Sequence, residues 1–156
     1  MDIYYKPISE SGKQMINYVC KYAPVELFKG FGQECAVLEE MPENFDKSDK
    51  IAHANLCGFG KSVIQAVLEG KVEELVLVNC CDSMRRVYDI IENTKKCKFL
   101  YMLDLPHEDN ECENIKFAQS ILRLKNAYER YSHRTFDREL FIKSFANCLL
   151  YTSDAA

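Results

Sequence analysis

The run Glu74-Leu-Val-Leu-Val-Asn-Cys-Cys-Asp-Ser-Met-Arg-Arg86 decides how the rest of the chain is read. Its first six residues are β-branched or leucine-rich without a polar alternation, the pattern of a strand buried on both faces. From Ser83 the spacing turns helical, with Met84, Val87, Tyr88 and Ile91 on one side and Arg85, Arg86 and Asp89 left for solvent or for an anion. Cys80 and Cys81 therefore fall at the carboxyl end of a predicted parallel strand, the edge where open α/β sheets carry ligands. Asp82 and Ser83 are suitable N-cap residues for the following helix. Thiols beside free backbone N–H groups and a helix dipole are expected to favour the thiolate.

Outward from this run, apolar stretches alternate with amphipathic ones. Cys35 to Leu38 and Lys98 to Leu103 read as two further strands, and Val63, Ile64, Val67 and Leu68 mark a helix stopped by Gly70. Nearer the amino terminus, Met15, Ile16, Val19 and Tyr22 fit one helix over 9–22, and Pro24 opens a short helical turn over 25–29. Residues 39–50 form an acidic loop. Beyond Asn110, Ile115, Ala118, Ile121, Leu122 and Tyr128 predict one helix, and residues 137–150 another. Strands separated by helices at this spacing predict an α/β fold: a doubly wound, Rossmann-like or flavodoxin-like parallel sheet flanked by helices and followed by carboxyl-terminal helices. The expected organisation is an α/β domain over 1–108, a helical extension of it over 109–150, and an unfastened tail over 151–156.

With 156 residues, 47% hydrophobic and 4 prolines, the chain can bury one core. A net charge of -4, spread without a basic block, argues against nucleic acid as partner. No stretch approaches the roughly 20 apolar residues of a membrane span, and no leader pattern opens the chain, so a soluble cytoplasmic protein is expected. Eight cysteines scattered through predicted helices and strands do not form a secreted disulfide framework. In a reducing compartment they serve as small core residues, as metal ligands, or as both.

Gly58-Phe-Gly-Lys-Ser62 resembles part of a phosphate loop, but Asn55 stands where that motif needs its first glycine, which argues against ATP binding. Cys57 precedes the same helix, as Cys81 precedes the next. Two cysteines at helix starts, separated by one helix and one strand, share a sheet edge, a geometry open to zinc or an iron–sulfur cluster. Cys80 is a neighbouring candidate, and His53, four residues before Cys57, is a candidate ligand or acid/base group. The spacing is not a C-x-x-C signature, and taken alone it weighs core packing slightly above a metal site. Cys20, Cys35, Cys112 and Cys148 read as structural or simply exposed.

Four ordered motifs carry a resemblance: Tyr18-Val-Cys-Lys-Tyr-Ala-Pro-Val-Glu-Leu-Phe28, His53-Ala-Asn-Leu-Cys57, Leu77-Val-Asn-Cys-Cys-Asp-Ser-Met-Arg-Arg-Val-Tyr-Asp89, and Tyr101-Met-Leu-Asp-Leu-Pro106. Together they resemble the 2-hydroxyacyl-CoA dehydratase family, also called the 2-hydroxyglutaryl-CoA dehydratase D-component family, which includes benzoyl-CoA reductase subunits. The resemblance implies an enzyme of anaerobes that carries a 4Fe-4S cluster on three cysteines, with one iron open to water or substrate. Cys57 and Cys81 would be two of the ligands. The third would come from a carboxyl-terminal domain, so the chain reads as an amino-terminal fragment, expected to bind iron weakly and to be inactive alone. The implied reaction is dehydration of a 2-hydroxyacyl-CoA through a ketyl radical, driven by an ATP-dependent iron–sulfur activator protein and shared with a second dehydratase subunit. Rival readings are a double-cubane or benzoyl-CoA-reductase-like electron-transfer subunit, and a non-catalytic or zinc-stabilised cysteine-rich interaction domain.

Overall fold

The computed structural model describes residues 15–39 and 41–153. Four short strands, β1 (Ile16–Tyr18), β2 (Cys35–Val37), β3 (Glu74–Val78) and β4 (Phe99–Leu103), pair in the order β2-β1-β3-β4. Every pairing is parallel, with Tyr18 opposite both Val37 and Val76, and Val78 opposite Leu103. Connections between them run through α1 (Val25–Lys29), α2 (Gly58–Leu68) and α3 (Asp82–Thr94), and the chain continues into α4 (Glu111–Ser132) and α5 (Arg138–Ser153).

β3 explains the layering. All five of its residues are buried, and because successive side chains in a strand point to opposite faces, they feed two separate cores. Leu75 and Leu77 join Val63, Ile64 and Val67 of α2 and Met84, Val87 and Ile91 of α3. Val76 and Val78 join Leu27 and Phe28 of α1 and Leu124 and Tyr128 of α4. Helices therefore cover both faces, as the doubly wound reading expects. Tyr128 centres the second core, with the rings of Phe28, Phe31 and Phe99 each 5.2 Å away in edge-on contact, a geometry that aromatic quadrupoles favour. Against α1 lies the start of α5: the Asp137 N–H donates to the Gly30 carbonyl at 2.7 Å, and a side chain at Gly30 would run into the Phe136 ring.

The sequence reading needs two corrections. Residues 16–18, expected within a helix, form β1, sandwiched between β2 and β3. A period of two, with Ile16 buried and Asn17 turned so that its amide reaches the Met15 and Glu74 carbonyls, overrides a helical spacing that rested on four apolar residues. The first six residues of the expected helix, 9–14, lie outside the described residues. The second correction concerns α3, whose N-cap is Cys81 itself rather than Asp82 or Ser83. Of the expected tail over 151–156, residues 151–153 belong to α5 and 154–156 lie outside the described residues.

Candidate cysteine site

From β1 the chain crosses to β2 by α1 on one face; from β2 it returns past β1 to β3 by α2 on the other, and α3 follows on that same face. The strand order thus reverses between β1 and β3, and in open parallel sheets the crevice beyond the carboxyl ends of such strands is where ligands sit. The residues that leave these ends are Cys20, two positions past β1, and Asn79-Cys80-Cys81, directly after β3. Since α2 runs back toward the start of β3, its amino end also lies at this edge. Cys57 is its N-cap, and Cys81 is the N-cap of α3.

These two helices pack closely. A Cβ built at Gly60 would stand 3.0 Å from Val87 Cγ2 and 3.3 Å from Leu56 Cγ, so the glycine permits the approach of α2 to α3 one turn from Cys57. Cys57 has an extended backbone, and its Sγ accepts the Gly60 N–H at 3.4 Å, the geometry by which a capping side chain satisfies an orphan helix donor. Cys81 is extended too, but its thiol makes no capping bond; its carbonyl accepts the Met84 N–H at 3.1 Å. Both thiols are exposed.

Between the strand and this cap the chain turns sharply, with the Cys80 N–H donating to the Val78 carbonyl at 2.8 Å. Asn79, inside the turn, is held from three sides. Its N–H donates to the Leu103 carbonyl at 2.8 Å, its Nδ2 donates to Asp104 Oδ1 at 3.0 Å, and its Oδ1 accepts Arg85 Nε at 2.6 Å. Arg85 also stands 3.6 Å from Asp82. None of this network was legible in the sequence beyond the free choice left to Arg85.

The thiolate expectation fails at Cys80. Burial pushes its thiol up, and the neighbouring Cys81 and Cys20 sulfurs add to the shift. Cys20 packs against the core of α1 and α4, as a structural cysteine should, yet it is close enough to act on Cys80. Cys35 and Cys97 are thiols pushed up to about 12 and about 11, in both cases chiefly by burial, which marks them as core residues. Cys112 is exposed in the first turn of α4. His53 is exposed, and its Nδ1 accepts the Asn55 N–H at 3.2 Å within the turn that leads to Cys57. Gly58 to Ser62 are the first turns of α2 rather than a loop; Lys61 pairs with Asp49 at 2.8 Å, and Ser62 Oγ donates to the Gly58 carbonyl, so no phosphate cradle forms.

Farther along the same edge, an open cleft of about 300 Å³ lies between the segment after β4 and α4, lined by Asp104, Leu105, His107, Lys116, Phe117 and Arg123 among others. Asp104 joins it to the Asn79 network. Among the described residues no helix is long and apolar enough to cross a membrane.

A family model, 2-hydroxyglutaryl-CoA dehydratase D-component, matches residues 20–148. The chain belongs to this family. The match contains the cysteine edge, all of α4 and most of α5, extending well past the four motifs read from the sequence. No curated protein matches the chain. The family is one of 2-hydroxyacyl-CoA dehydratase components associated with iron–sulfur clusters, acyl-CoA substrates and partner components. The thiols of the N-cap residues of two adjacent helices fit such a cluster in kind, since sulfur is its ligand atom and helix-start N–H groups lie beside it. In number they fall short: among the described residues no three or more Cys, His, Asp or Glu side chains are gathered to hold a metal ion.

Proposed function

We propose that this chain is the cluster-bearing component of a 2-hydroxyacyl-CoA dehydratase, with Cys57 and Cys81 supplying two of the thiolates for a 4Fe-4S cluster and the remaining ligand coming from outside the residues described above. The observation that carries the reading is the pairing of two capping cysteines, on adjacent helices of one face, at the switch point of the sheet.

The chemistry calls for such a group. The proton at C3 of a 2-hydroxyacyl thioester is barely acidic, so direct elimination of water has no good base-catalysed route. When bound, the cluster would supply a Lewis-acidic iron for the thioester oxygen and one electron that eases departure of the 2-hydroxyl as hydroxide, and would take that electron back once the C3 proton has left, so that the dehydration is redox-neutral. An ATP-dependent iron–sulfur activator is the source of that electron, and a second dehydratase subunit shares the substrate. The chain's own residues have narrower tasks. Cys57 and Cys81 bind, while the Gly60 N–H is directed at the Cys57 sulfur. His53, whose Nδ1 is engaged by the Asn55 N–H, keeps Nε2 for proton exchange with the leaving hydroxyl or the substrate. The cytoplasm of an anaerobe suits a cluster this exposed.

The test is anaerobic reconstitution with iron and sulfide of wild type, Cys57→Ser and Cys81→Ser, reading iron, labile sulfide and charge-transfer absorbance. Wild type should bind iron weakly, each serine variant should bind less, and the isolated chain should show no turnover of 2-hydroxyacyl-CoA even with an activator. A stoichiometric cluster indifferent to both substitutions would overturn the ligand assignment. Zinc retained in place of iron would favour an interaction domain.

A further inference from the structure

The turn that carries Cys80 and Cys81 has no hydrogen-bonded strand beyond it and no side-chain cap at its helix. What fixes it is the side chain of Asn79. One amide reaches across the sheet edge to Asp104, just past β4, and forward to Arg85 in the first turns of α3. An amide can do both at once, because its nitrogen offers a donor toward the carboxylate and its oxygen an acceptor toward the guanidinium. The ends of β3 and β4 and the start of α3 are tied together by this side chain at the solvent edge, at the residue directly before the cysteine pair.

We propose that Asn79 is a positioning residue for the cysteine turn, which it locks between Asp104 and Arg85 so that Cys80 and Cys81 keep fixed directions at the edge. The inference rests on the proposed function only for what the turn is used for; the locking itself concerns thiols and backbone, and is measured without iron.

Two substitutions at Asp104 remove the same charge but differ in hydrogen bonding. In Asp104→Asn a carbonyl oxygen still accepts from Asn79, whereas in Asp104→Leu nothing does. In the intact metal-free chain, alkylation of Cys80 and Cys81 by a neutral maleimide is followed by mass spectrometry, with exposed Cys112 in α4 as internal reference. Asp104→Leu and Asn79→Ala should raise the rate at Cys80 relative to Cys112 by about threefold to tenfold, the range that loss of one or two such hydrogen bonds allows. Asp104→Asn should stay within about twofold of wild type on the same scale. Melting temperatures of all variants are measured alongside, since a purely structural role would lower stability without singling out the turn. Equal rates in Asp104→Asn and Asp104→Leu, or acceleration spread equally over Cys112, would overturn the inference. Should the contrast appear while iron binding proves indifferent to Cys57→Ser and Cys81→Ser, the positioning role stands and the cluster reading falls.

Discussion

Gln65 offers the most direct test of how the segment before Cys57 is held. It lies on α2 with 1% of its surface exposed, and its Oε1 accepts two backbone N–H groups, from Lys47 at 3.1 Å and from the fully buried Ser48 at 2.8 Å. Its Nε2 donates to Glu69 at 2.7 Å. Replacing it with leucine preserves bulk but orphans both donors. A buried unpaired donor costs about 1–3 kcal/mol, and the Lys47 N–H, nearer solvent, recovers part of its loss from water, so Gln65→Leu should cost roughly 2–4 kcal/mol. For a chain of this size each kcal/mol moves the melting temperature by about 2–4 °C, which gives a fall of roughly 4–16 °C by circular dichroism. Glu69→Ala takes away the Gln65 Nε2 acceptor and the Lys71 ion pair but leaves both N–H bonds, and the space it opens at the half-buried helix end admits water to Nε2, so its midpoint should stay within about 2 °C of wild type. A Gln65→Leu midpoint within that same margin, or a Glu69→Ala loss as large as the leucine one, would refute the claim that the two N–H bonds hold the loop.

Three further outcomes follow from the same structure. Tyr128→Ala, which empties the place where Phe28, Phe31 and Phe99 converge, should cost about 3–5 kcal/mol and abolish the cooperative near-ultraviolet transition at physiological temperature. Lys95 caps α3 at φ 54°, a left-handed conformation that penalises any side chain; Lys95→Gly should therefore raise the denaturant midpoint, by about 0.5–1 kcal/mol once the added freedom of the unfolded chain is subtracted. The Cys35 thiol is held protonated up to about 12 against an ordinary value of 9.0. Between those values the unfolded chain has lost a proton that the folded chain keeps, so stability falls as pH rises from 9 toward 12, and Cys35→Ala should flatten that part of the curve in denaturant titrations at stepped pH.

The fold was legible where composition left one choice. Residues 74–78 are apolar on both faces apart from Glu74, and only a central strand of a covered sheet uses such a run, which then fixes helices on both sides. β4 and α2 to α4 followed from the same reasoning within a residue or two at their ends, the margin at which helix caps are decided by local geometry, while α5 runs three residues past its expected end at 150. β1 was not legible because a strand of three residues is shorter than either period needs to declare itself. Ile16, Asn17 and Tyr18 are strand residues because β2 and β3 flank them, a tertiary fact that no window of sequence contains. Glu74 shows the same limit: a carboxylate in a buried strand reads as an error until the Tyr131 hydroxyl, 57 residues away, is found donating to it at 2.9 Å.

The candidate site divides along the same line. That Cys57 and Cys81 both precede helices could be read locally, and parallel topology then sends both helix starts to one edge, so their shared location needed only the fold. Cys20 could not be placed this way. Its segment was read as helix, and a cysteine in that helix would have had no reason to approach the end of β3. Once β1 is a strand beside β3, its exit and that of β3 become neighbours by register, Tyr18 standing opposite Val76, and Cys20 comes near enough to raise the Cys80 thiol together with burial and Cys81. That arrangement separates the cysteines of the edge by chemistry. Cys80 is exposed like Cys57 and Cys81, but its thiol is pushed up by burial and by the neighbouring sulfurs, which makes it poorly suited to bind first. If iron enters this edge, the serine substitution at Cys80 should therefore reduce iron content less than that at Cys81, although the two are adjacent in the chain; equal losses would mean that the turn presents both sulfurs to one ion.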